Sequence, residues 1–379
     1  MKRRVLKVAG IVIGLFVLLV LVSGPILNSL GVEIFCIQGD LSDLQFVRCS
    51  GVADPQPTVT PLPLPTLAQE VPIPVIFDDD GSPDGIIALL YFLRHPLYDV
   101  KAVTVSAGEA HPKIFAEHIA QFLAALGRGD IPVGFGRETP LDGDNAFPEP
   151  WREASDRFFG IPVSQSALTS EVRPASELIV ETLNDSTEPM MVFVSGTHTN
   201  LAEALRLDPG IGDHIRGVYV MGGSIYVPGN IQSDWPEIHN TVAEWNIWVD
   251  PLAASEVFSA GLPLHLVPID ATNQVLWTAA DAQTWMSSSF PEAEMAGNVL
   301  DWMLHSWSLE SAYIWDLVAA VTATDPELCP EVHLAVGIEL GAGPEQGRTI
   351  VENEPANIWV CLDPDSRQIK ARATSILGQ

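Results

Sequence analysis

A short acidic segment, residues 78–84, constrains the fold more than any other part of the sequence. An apolar run, 73–77, precedes it, and an apolar pattern with helical spacing, 86–93, follows it. This succession predicts a buried strand, an acidic turn and a helix. Ser82 is suited to cap that helix and Pro83 to occupy its first position. Four aspartates crowd the turn: Asp78, Asp79, Asp80 and Asp84.

These carboxylates point to a ligand. A turn of this kind lies at the carboxyl end of a strand, where open α/β sheets bind their ligands. Carboxylates held close together repel one another, so the turn is costly to fold unless a cation or a polyol compensates. Hard oxygen donors at this density favour calcium or magnesium over zinc. From these residues alone, a solvated acidic turn remains the alternative.

Strand-like and helix-like segments alternate through the rest of the chain. The pattern predicts a mostly parallel sheet with helices on both faces, and hence an α/β fold. The segment 136–172 is rich in Pro and Asp and is predicted to be a loop. Predicted strands lie at 100–105, 190–194, 218–221 and 264–267, and predicted helices at 111–126, 200–207 and 251–259.

The charge of the chain excludes one class of partner. The net charge is −29 over 379 residues, and 47% of the residues are hydrophobic. A sizeable core is therefore expected. No basic surface is available to meet phosphates, so the sequence argues against nucleic acid as a partner.

The N-terminus has a different character. A basic flank, which includes Lys2 and Lys7, precedes 25 uncharged residues at 8–32. As a helix they would span about 37 Å, enough for a hydrocarbon core of roughly 30 Å. The expectation is a transmembrane anchor within 1–35, with a single-pass cell-membrane location and an extracytoplasmic catalytic domain. A cleaved signal peptide and a secreted protein are the alternative.

The next segment, 36–70, is predicted to hold a Cys-stapled loop and a Pro- and Thr-rich linker, and the folded domain is expected at 71–379. The chain has four cysteines and no Cys-x-x-Cys pair, so zinc binding by them is not expected. Proximity in sequence favours the pairs Cys36–Cys49 and Cys329–Cys361, one of three connectivities. Free buried thiols remain the alternative for the second pair.

Three further motifs carry polar groups suited to ligand binding. Ser195-Gly196 opens a strand-to-helix turn, Glu244 and Asn246 flank a Trp, and Asp316 begins a helical segment. Glu and Asn side chains bind hydroxyls well, and Trp offers an apolar face to sugars and bases. Taken singly, each motif could equally be a helix cap or a surface loop.

Taken in order, the motifs resemble those of the inosine/uridine-preferring nucleoside hydrolase family over about residues 72–365. The motifs are Asp78-Asp79-Asp80 to Asp84, Ser195-Gly196 to Thr199-Asn200, Met221-Gly222-Gly223, Gly229-Asn230, Ala243-Glu244-Trp245-Asn246 and Trp315-Asp316. The resemblance implies a Rossmann-like α/β domain that hydrolyses the N-glycosidic bond of ribonucleosides with one bound calcium ion. It leaves open a homo-oligomer.

The resemblance also implies roles for single residues. Asp80 matches the general base that touches calcium and deprotonates the attacking water, whose pKa the metal lowers. The main-chain carbonyl of Ser195 and the carboxylate of Asp316 match calcium ligands. The positions that match ribose contacts are Asp84, Met221, Asn230, Glu244 and Asn246.

The sequence departs from the family pattern at one metal ligand. Gly85 stands where the family has a second aspartate, which puts calcium binding in question. Glu109 replaces a usual Asn, and our hypothesis is that its carboxylate compensates as a metal ligand. Asp78 and Asp79 are less favoured substitutes, because alternation along a strand should turn at least Asp79 away from Asp80.

Trp315 stands where purine-preferring members stack a Trp on the base, so purine nucleosides are modestly favoured. Each of His111, His118, His198 and His239 is expected to be structural or solvated rather than a leaving-group acid. Two other functions stay open: a catalytically weak nucleoside- or sugar-binding protein, and a hydrolase for another N-riboside.

Overall fold

The structure, a computed structural model, describes residues 71–161 and 171–378, together with two short strands before them. Those strands, β1 (Phe35–Gln38) and β2 (Gln45–Arg48), pair antiparallel. The chain divides into two compact units, 1–58 and 59–379.

A nine-stranded sheet forms the centre of the second unit in the order β12-β15-β9-β8-β7-β3-β4-β5-β6. Neighbouring strands are parallel except β12, which is antiparallel to β15. Two antiparallel strand pairs, β10–β11 and β13–β14, lie outside this sheet. The strands are β3 (Ile73–Asp79), β4 (Tyr98–Val105), β5 (Val133–Phe135), β6 (Arg173–Pro174), β7 (Met190–Val194), β8 (Ile215–Met221), β9 (Leu264–Val267), β10 (Leu276–Thr278), β11 (Ser311–Tyr313), β12 (Glu331–Leu334), β13 (Val336–Ile338), β14 (Thr349–Val351) and β15 (Ile358–Cys361).

Helices connect most of the strands and cover the sheet, as the alternating pattern predicts. Short 3-10 helices lie at Phe158–Gly160, Pro209–His214 and Pro326–Leu328. The α-helices are Pro83–Arg94, Pro112–Ala125, Glu149–Asp156, Ala175–Asp185, Thr199–Leu207, Ile231–Asp234, Trp245–Val249, Pro251–Phe258, Ile269–Thr272, Ala279–Met286, Pro291–Ser306, Trp315–Thr324 and Ser366–Gly378.

The core occupies both faces of the sheet because side chains alternate along each strand. In β3, Val75 and Phe77 belong to one buried cluster, whereas Ile76 belongs to a second one. Phe77 stacks on Phe193 of the neighbouring strand, with ring centroids 5.3 Å apart. The mostly parallel α/β architecture predicted from the sequence is therefore confirmed.

The predicted helix start after the acidic turn is also confirmed. The hydroxyl of Ser82 accepts a hydrogen bond from the Gly85 amide at 2.9 Å, and Pro83 is the first helical residue. The predicted loop 136–172 is more regular than its Pro content suggests, since it contains the helix Glu149–Asp156. That helix was missed because it is mostly polar and buries only Ser155.

Two predictions concern the cysteines. Cys329 and Cys361 form a disulfide that connects the turn before β12 with the end of β15. The pairing favoured by sequence proximity is thus confirmed for this pair. The side chains of Cys36 and Cys49 lie outside the described residues, so their pairing stays a prediction.

The expected membrane anchor requires a correction. No helix in the described ranges is long and apolar enough to cross a membrane. The segment that prompted the expectation, 8–32, lies outside those ranges. The predicted cell-membrane location with an extracytoplasmic catalytic domain is therefore wrong for the chain as described, and we withdraw it.

Candidate active site

The order of the strands places the candidate site at one edge of the sheet. Strands β4, β5 and β6 follow β3 to one side, whereas β7 and β8 lie on its other side. This reversal makes the carboxyl end of β3 a topological switch point, where open α/β sheets bind ligands. A pocket of about 530 Å³ lies here, a volume typical of small-molecule sites.

The floor of the pocket is acidic. Asp80, Asp84, Glu109 and Asp316 all line it. The Asp316 amide donates to the Asp84 carboxylate at 3.2 Å, and the Ser82 hydroxyl donates to Asp316 at 3.1 Å. The sequence prediction that these four carboxylates belong to one site is consistent with this placement.

Burial dominates the electrostatics of the floor. It raises the pKa of Asp80 well above its usual range, and the charges of Asp79 and Glu109 raise it further. The pKa values of Glu109 and Asp316 are raised for the same reasons, burial first and then neighbouring carboxylates. Because no Lys, Arg or His lines the pocket in the described part of the chain, these carboxylates have no protein cation facing them there.

Asp78 does not belong to the floor. Its carboxylate accepts hydrogen bonds from Thr104 at 2.5 Å and from the Asn200 side-chain amide at 2.7 Å. Thr104 lies on the neighbouring strand β4, and Asn200 on the helix that follows β7. Asp78 therefore joins elements on both sides of β3.

Asp79 lies where the sequence did not predict it. One carboxylate oxygen accepts from the Gly81 amide at 2.8 Å and the other from the Ser195 hydroxyl at 3.0 Å. A Cβ at residue 85 would lie only 1.8 Å from the Asp79 Oδ1 atom. Asp79 keeps the alternation of β3, since Val75 and Phe77 on the same face pack in one cluster with the helix Pro83–Arg94. Alternation stops being a guide only after Asp79, where β3 ends and Gly81 turns the chain with a φ of 91°.

Ser195, Met221 and Asn246 come together on the β7 side of the pocket. The Asn246 side-chain amide donates to the main-chain carbonyl of Ser195 at 3.0 Å and to that of Met221 at 3.2 Å. All three residues line the pocket. Asn246 thus fixes the two strand ends next to the acidic floor.

Glu244 also lines the pocket, but its observed contacts are with the backbone. Its two oxygens accept from the amides of Gly223, Asn246 and Ile247 at 2.8 to 3.3 Å. It caps the helix Trp245–Val249 and holds the turn at Gly223, whose φ of 78° favours glycine. Burial raises the pKa of Glu244 to about 7.

The segment between Asn230 and Glu244 forms part of the rim. Asn230 and Asp234 line the pocket, and Trp235 packs edge-on against Trp151. The buried Oδ1 atom of Asn230 has no hydrogen-bond partner among the described residues. A buried acceptor without a partner is costly, so this atom is suited to receive a hydrogen bond from a ligand hydroxyl.

Aromatic residues form another part of the pocket lining, here called the aromatic wall, and sequence reasoning missed most of it. Phe147 stacks on Trp245 with centroids 4.7 Å apart, and Phe159 contacts Trp302 at 4.9 Å. The residues come from segments far apart in sequence, and only Trp245 and Trp315 were singled out there, by the motifs that contain them. The tryptophans of the wall are Trp151, Trp245, Trp302, Trp307 and Trp315.

Trp315 lies at the junction of wall and floor, since it directly precedes Asp316. Its ring stacks on Tyr313 at 5.5 Å, and its indole N–H donates to the Asn273 side chain at 2.7 Å. These contacts fix the plane of a half-buried indole beside the carboxylates.

The four histidines considered from the sequence lie away from the pocket lining. His111 bonds the Asp156 carboxylate at 2.7 Å, and His118 bonds the carbonyl of the same residue. His198 is buried against Phe258, and His239 is exposed. None of them is placed to protonate a leaving group.

The chemistry of the floor fits a hard divalent cation. Its donors are all oxygens: the floor carboxylates and the Ser195 carbonyl. Residue 108 lacks a Cβ, which would lie 2.3 Å from the Asp80 carboxylate, so the backbone approaches that group closely. In the ranges that the structure covers, no three His, Cys, Asp or Glu side chains are grouped in a way that could hold a metal ion by themselves. Backbone carbonyls, water and ligand hydroxyls would have to complete the coordination.

Comparison with known proteins defines the class. The family model described as "Inosine-uridine preferring nucleoside hydrolase" matches residues 75–371. The chain belongs to this family, which confirms the resemblance found in the sequence motifs.

Relatives agree with this assignment. The chain is 31% identical over 304 residues to a pyrimidine-specific ribonucleoside hydrolase, RihA, from Citrobacter koseri, covering 77% of this chain and 94% of the relative. The RihA of Salmonella gallinarum is 30% identical over 306 residues, covering 78% and 95%.

Solved structures share the fold. A plant nucleoside hydrolase, PpNRh1, superposes with a TM-score of 0.69 at 24% identity, covering 81% of this chain and 99% of its own. A purine-preferring ribonucleoside hydrolase from Gardnerella vaginalis has a TM-score of 0.69 at 23% identity, covering 80% and 99%.

Proposed function

We propose that this protein hydrolyses the N-glycosidic bond of ribonucleosides to give ribose and a free base. The observation that carries the proposal is a pocket whose lining combines a carboxylate floor with a wall of aromatic rings. Carboxylates bind ribose hydroxyls and activate water, and aromatic faces hold a flat base. Family membership supports the same reaction.

Asp80 is proposed as the general base. It lies at the carboxyl end of β3, 2% exposed, and lines the pocket. Its carboxylate accepts one proton from the attacking water while the water oxygen bonds to the anomeric carbon. The bond from that carbon to the base nitrogen breaks, and the base leaves with the bonding electron pair and takes up a proton.

Calcium is the proposed cofactor, and when bound it would supply a Lewis acid that lowers the pKa of a water and offsets the acidic floor. The proposed ligands are Asp80, Glu109 and Asp316, with the main-chain carbonyl of Ser195. They lie within one pocket and provide only oxygen donors. Their clustering at a buried site supports a divalent ion rather than a solvated acidic turn.

Five residues are proposed to bind the ribose. Asp84 and Asn230 offer acceptors to its hydroxyls, and the unpartnered Oδ1 of Asn230 supports this role. Met221 offers an apolar contact to the sugar. Glu244 and Asn246 form the side of the pocket, and their backbone contacts hold it in shape.

Trp315 is proposed to stack on the base. A large indole next to the floor suits a purine ring, so we propose purine nucleosides as the preferred substrates. The pyrimidine specificity of the RihA relatives defines the competing outcome. A substrate panel of inosine, guanosine, adenosine, uridine and cytidine distinguishes the two.

The test is ribose release from inosine and uridine by Asp80→Asn, with Asp78→Asn as the matched control. Both variants remove one carboxylate from the same turn, but Asp78 faces Thr104 and Asn200 rather than the pocket. Asp80→Asn should lower kcat by at least about a hundredfold, since a general base contributes on that order. Asp78→Asn should keep kcat, with any change appearing in its melting temperature.

If the wild type binds nucleosides but does not hydrolyse them, the protein is a nucleoside-binding protein and the proposed hydrolase function is refuted. Equal activity of Asp80→Asn and Asp78→Asn would refute the role of Asp80.

A further inference from the structure

Residue 85 has no side chain, and the carboxylate of Asp79 occupies the adjacent space. A Cβ built on Gly85 would lie 1.8 Å from Oδ1, 2.6 Å from Cγ and 2.8 Å from Oδ2 of Asp79. All three distances are below any real contact. An aspartate at 85 and the present position of Asp79 therefore exclude each other.

Asp79 is held in this place by specific contacts. The Gly81 amide donates to one oxygen and the Ser195 hydroxyl to the other, and the side chain is 4% exposed. The hydrogen bond from Ser195 is important, because the carbonyl of the same residue is a proposed metal ligand. The Asp79 carboxylate is thus fixed beside the acidic floor rather than on the far side of β3.

The charge of Asp79 belongs to the same cluster. Its negative charge acts directly on the carboxylates of Asp80, Glu109 and Asp316. Asp78, one residue earlier in the strand, instead contacts Thr104 and Asn200. Of the two aspartates that precede Asp80, only Asp79 is therefore near the place where a residue-85 carboxylate would lie.

We propose that Asp79 supplies, from the end of β3, the metal-binding carboxylate that Gly85 lacks, either directly or through one water. This inference rests on the cation site of the proposed function. It departs from the sequence hypothesis, which favoured Glu109 over Asp79 as the substitute, and it leaves Glu109 as a further ligand. Compared with the family pattern, one carboxylate would then be moved from the helix to the strand.

The test is a reciprocal exchange, measured by calorimetric calcium binding and by the rise in melting temperature on adding calcium. Asp79→Asn should weaken calcium binding at least tenfold. Gly85→Asp alone should also weaken it, because two side chains compete for one space. The double variant Asp79→Ala/Gly85→Asp should bind calcium within about threefold of wild type, since removing the Asp79 carboxylate clears the three contacts around residue 85.

Asp78→Asn is the matched control and should bind calcium as the wild type does. Circular dichroism establishes that each variant is folded, and the near-isosteric Asp79→Asn keeps the test valid if the alanine variants unfold. Wild-type calcium affinity in folded Asp79→Asn, or no recovery in the folded double variant, would overturn this inference alone. A wild-type protein that takes up no calcium would overturn the proposed cation site and this inference with it.

Discussion

Replacing His198 with Leu should make the protein less sensitive to acid. His198 is fully buried, and neither ring nitrogen has a hydrogen-bond partner in the part of the chain that the structure describes. Burial lowers its pKa from 6.5 to about 3, so the folded protein keeps this ring neutral. The unfolded chain, in contrast, protonates it as the pH falls below 6.5.

The sign and size follow from proton linkage. Between pH 6.5 and about 3 the unfolded state binds the additional proton, so stability is lost as the pH falls. With these two pKa values, His198 alone should cost about 2 kcal/mol between pH 7 and pH 5. Leu has no group to protonate and removes two unpaired polar atoms, so His198→Leu should lose about 2 kcal/mol less than wild type over this range.

Urea unfolding at pH 7, 6 and 5 measures the free energy of unfolding of the wild type and of His198→Leu. His95, whose pKa burial also lowers to about 3, should remain as the source of a similar loss in the variant. His305→Gln is the control, because His305 is exposed at the end of the helix Pro291–Ser306. A variant His198→Leu with the same pH dependence as wild type would refute the reasoning.

Three further predictions concern separate parts of the molecule. In steady-state kinetics, Trp315→Ala should raise the KM for nucleosides roughly tenfold, because it removes a stacking face. Replacing the exposed Trp359 with Ala should not raise it, and equal effects of the two variants would count against the stacking role. Glu109→Gln should weaken calcium binding roughly tenfold in calorimetry, with the exposed Glu117→Gln as control; unchanged affinity would remove Glu109 from the ligands. Replacing both Cys329 and Cys361 with Ser should lower the free energy of unfolding by about 3–4 kcal/mol, since the disulfide closes a loop with a sequence separation of 32. A melting temperature equal to that of the oxidised wild type would contradict this.

The sequence predicted the fold well where local chemistry and tertiary structure agree. Strands β7 and β9 were predicted with their observed ends, because apolar β-branched and Leu runs bounded by turn residues leave little ambiguity. The helix after the acidic turn was predicted from Ser82 and Pro83 for a similar reason. The mostly polar helix Glu149–Asp156 was missed because it has no apolar stripe.

The site was predicted only in its polar half. Aspartates close together in one turn are visible as a motif in the sequence. Trp151, Trp302 and Trp307 reach the pocket through tertiary packing, which no local sequence pattern indicates. The low weight given to Asp79 has a different cause. Alternation holds along β3, where Asp79 follows Val75 and Phe77 on the face that packs with the helix Pro83–Arg94, but it does not extend to Asp80, which lies beyond the strand.

The most direct test of the central claim is ribose release as a function of free calcium. The protein is stripped with chelator and titrated with calcium, and product formation is compared with the binding isotherm of the same sample. We predict no release in chelator and activity that rises in proportion to one bound calcium per chain. Full activity in protein shown by elemental analysis to hold no divalent metal, or calcium uptake without release from any nucleoside, would contradict the account.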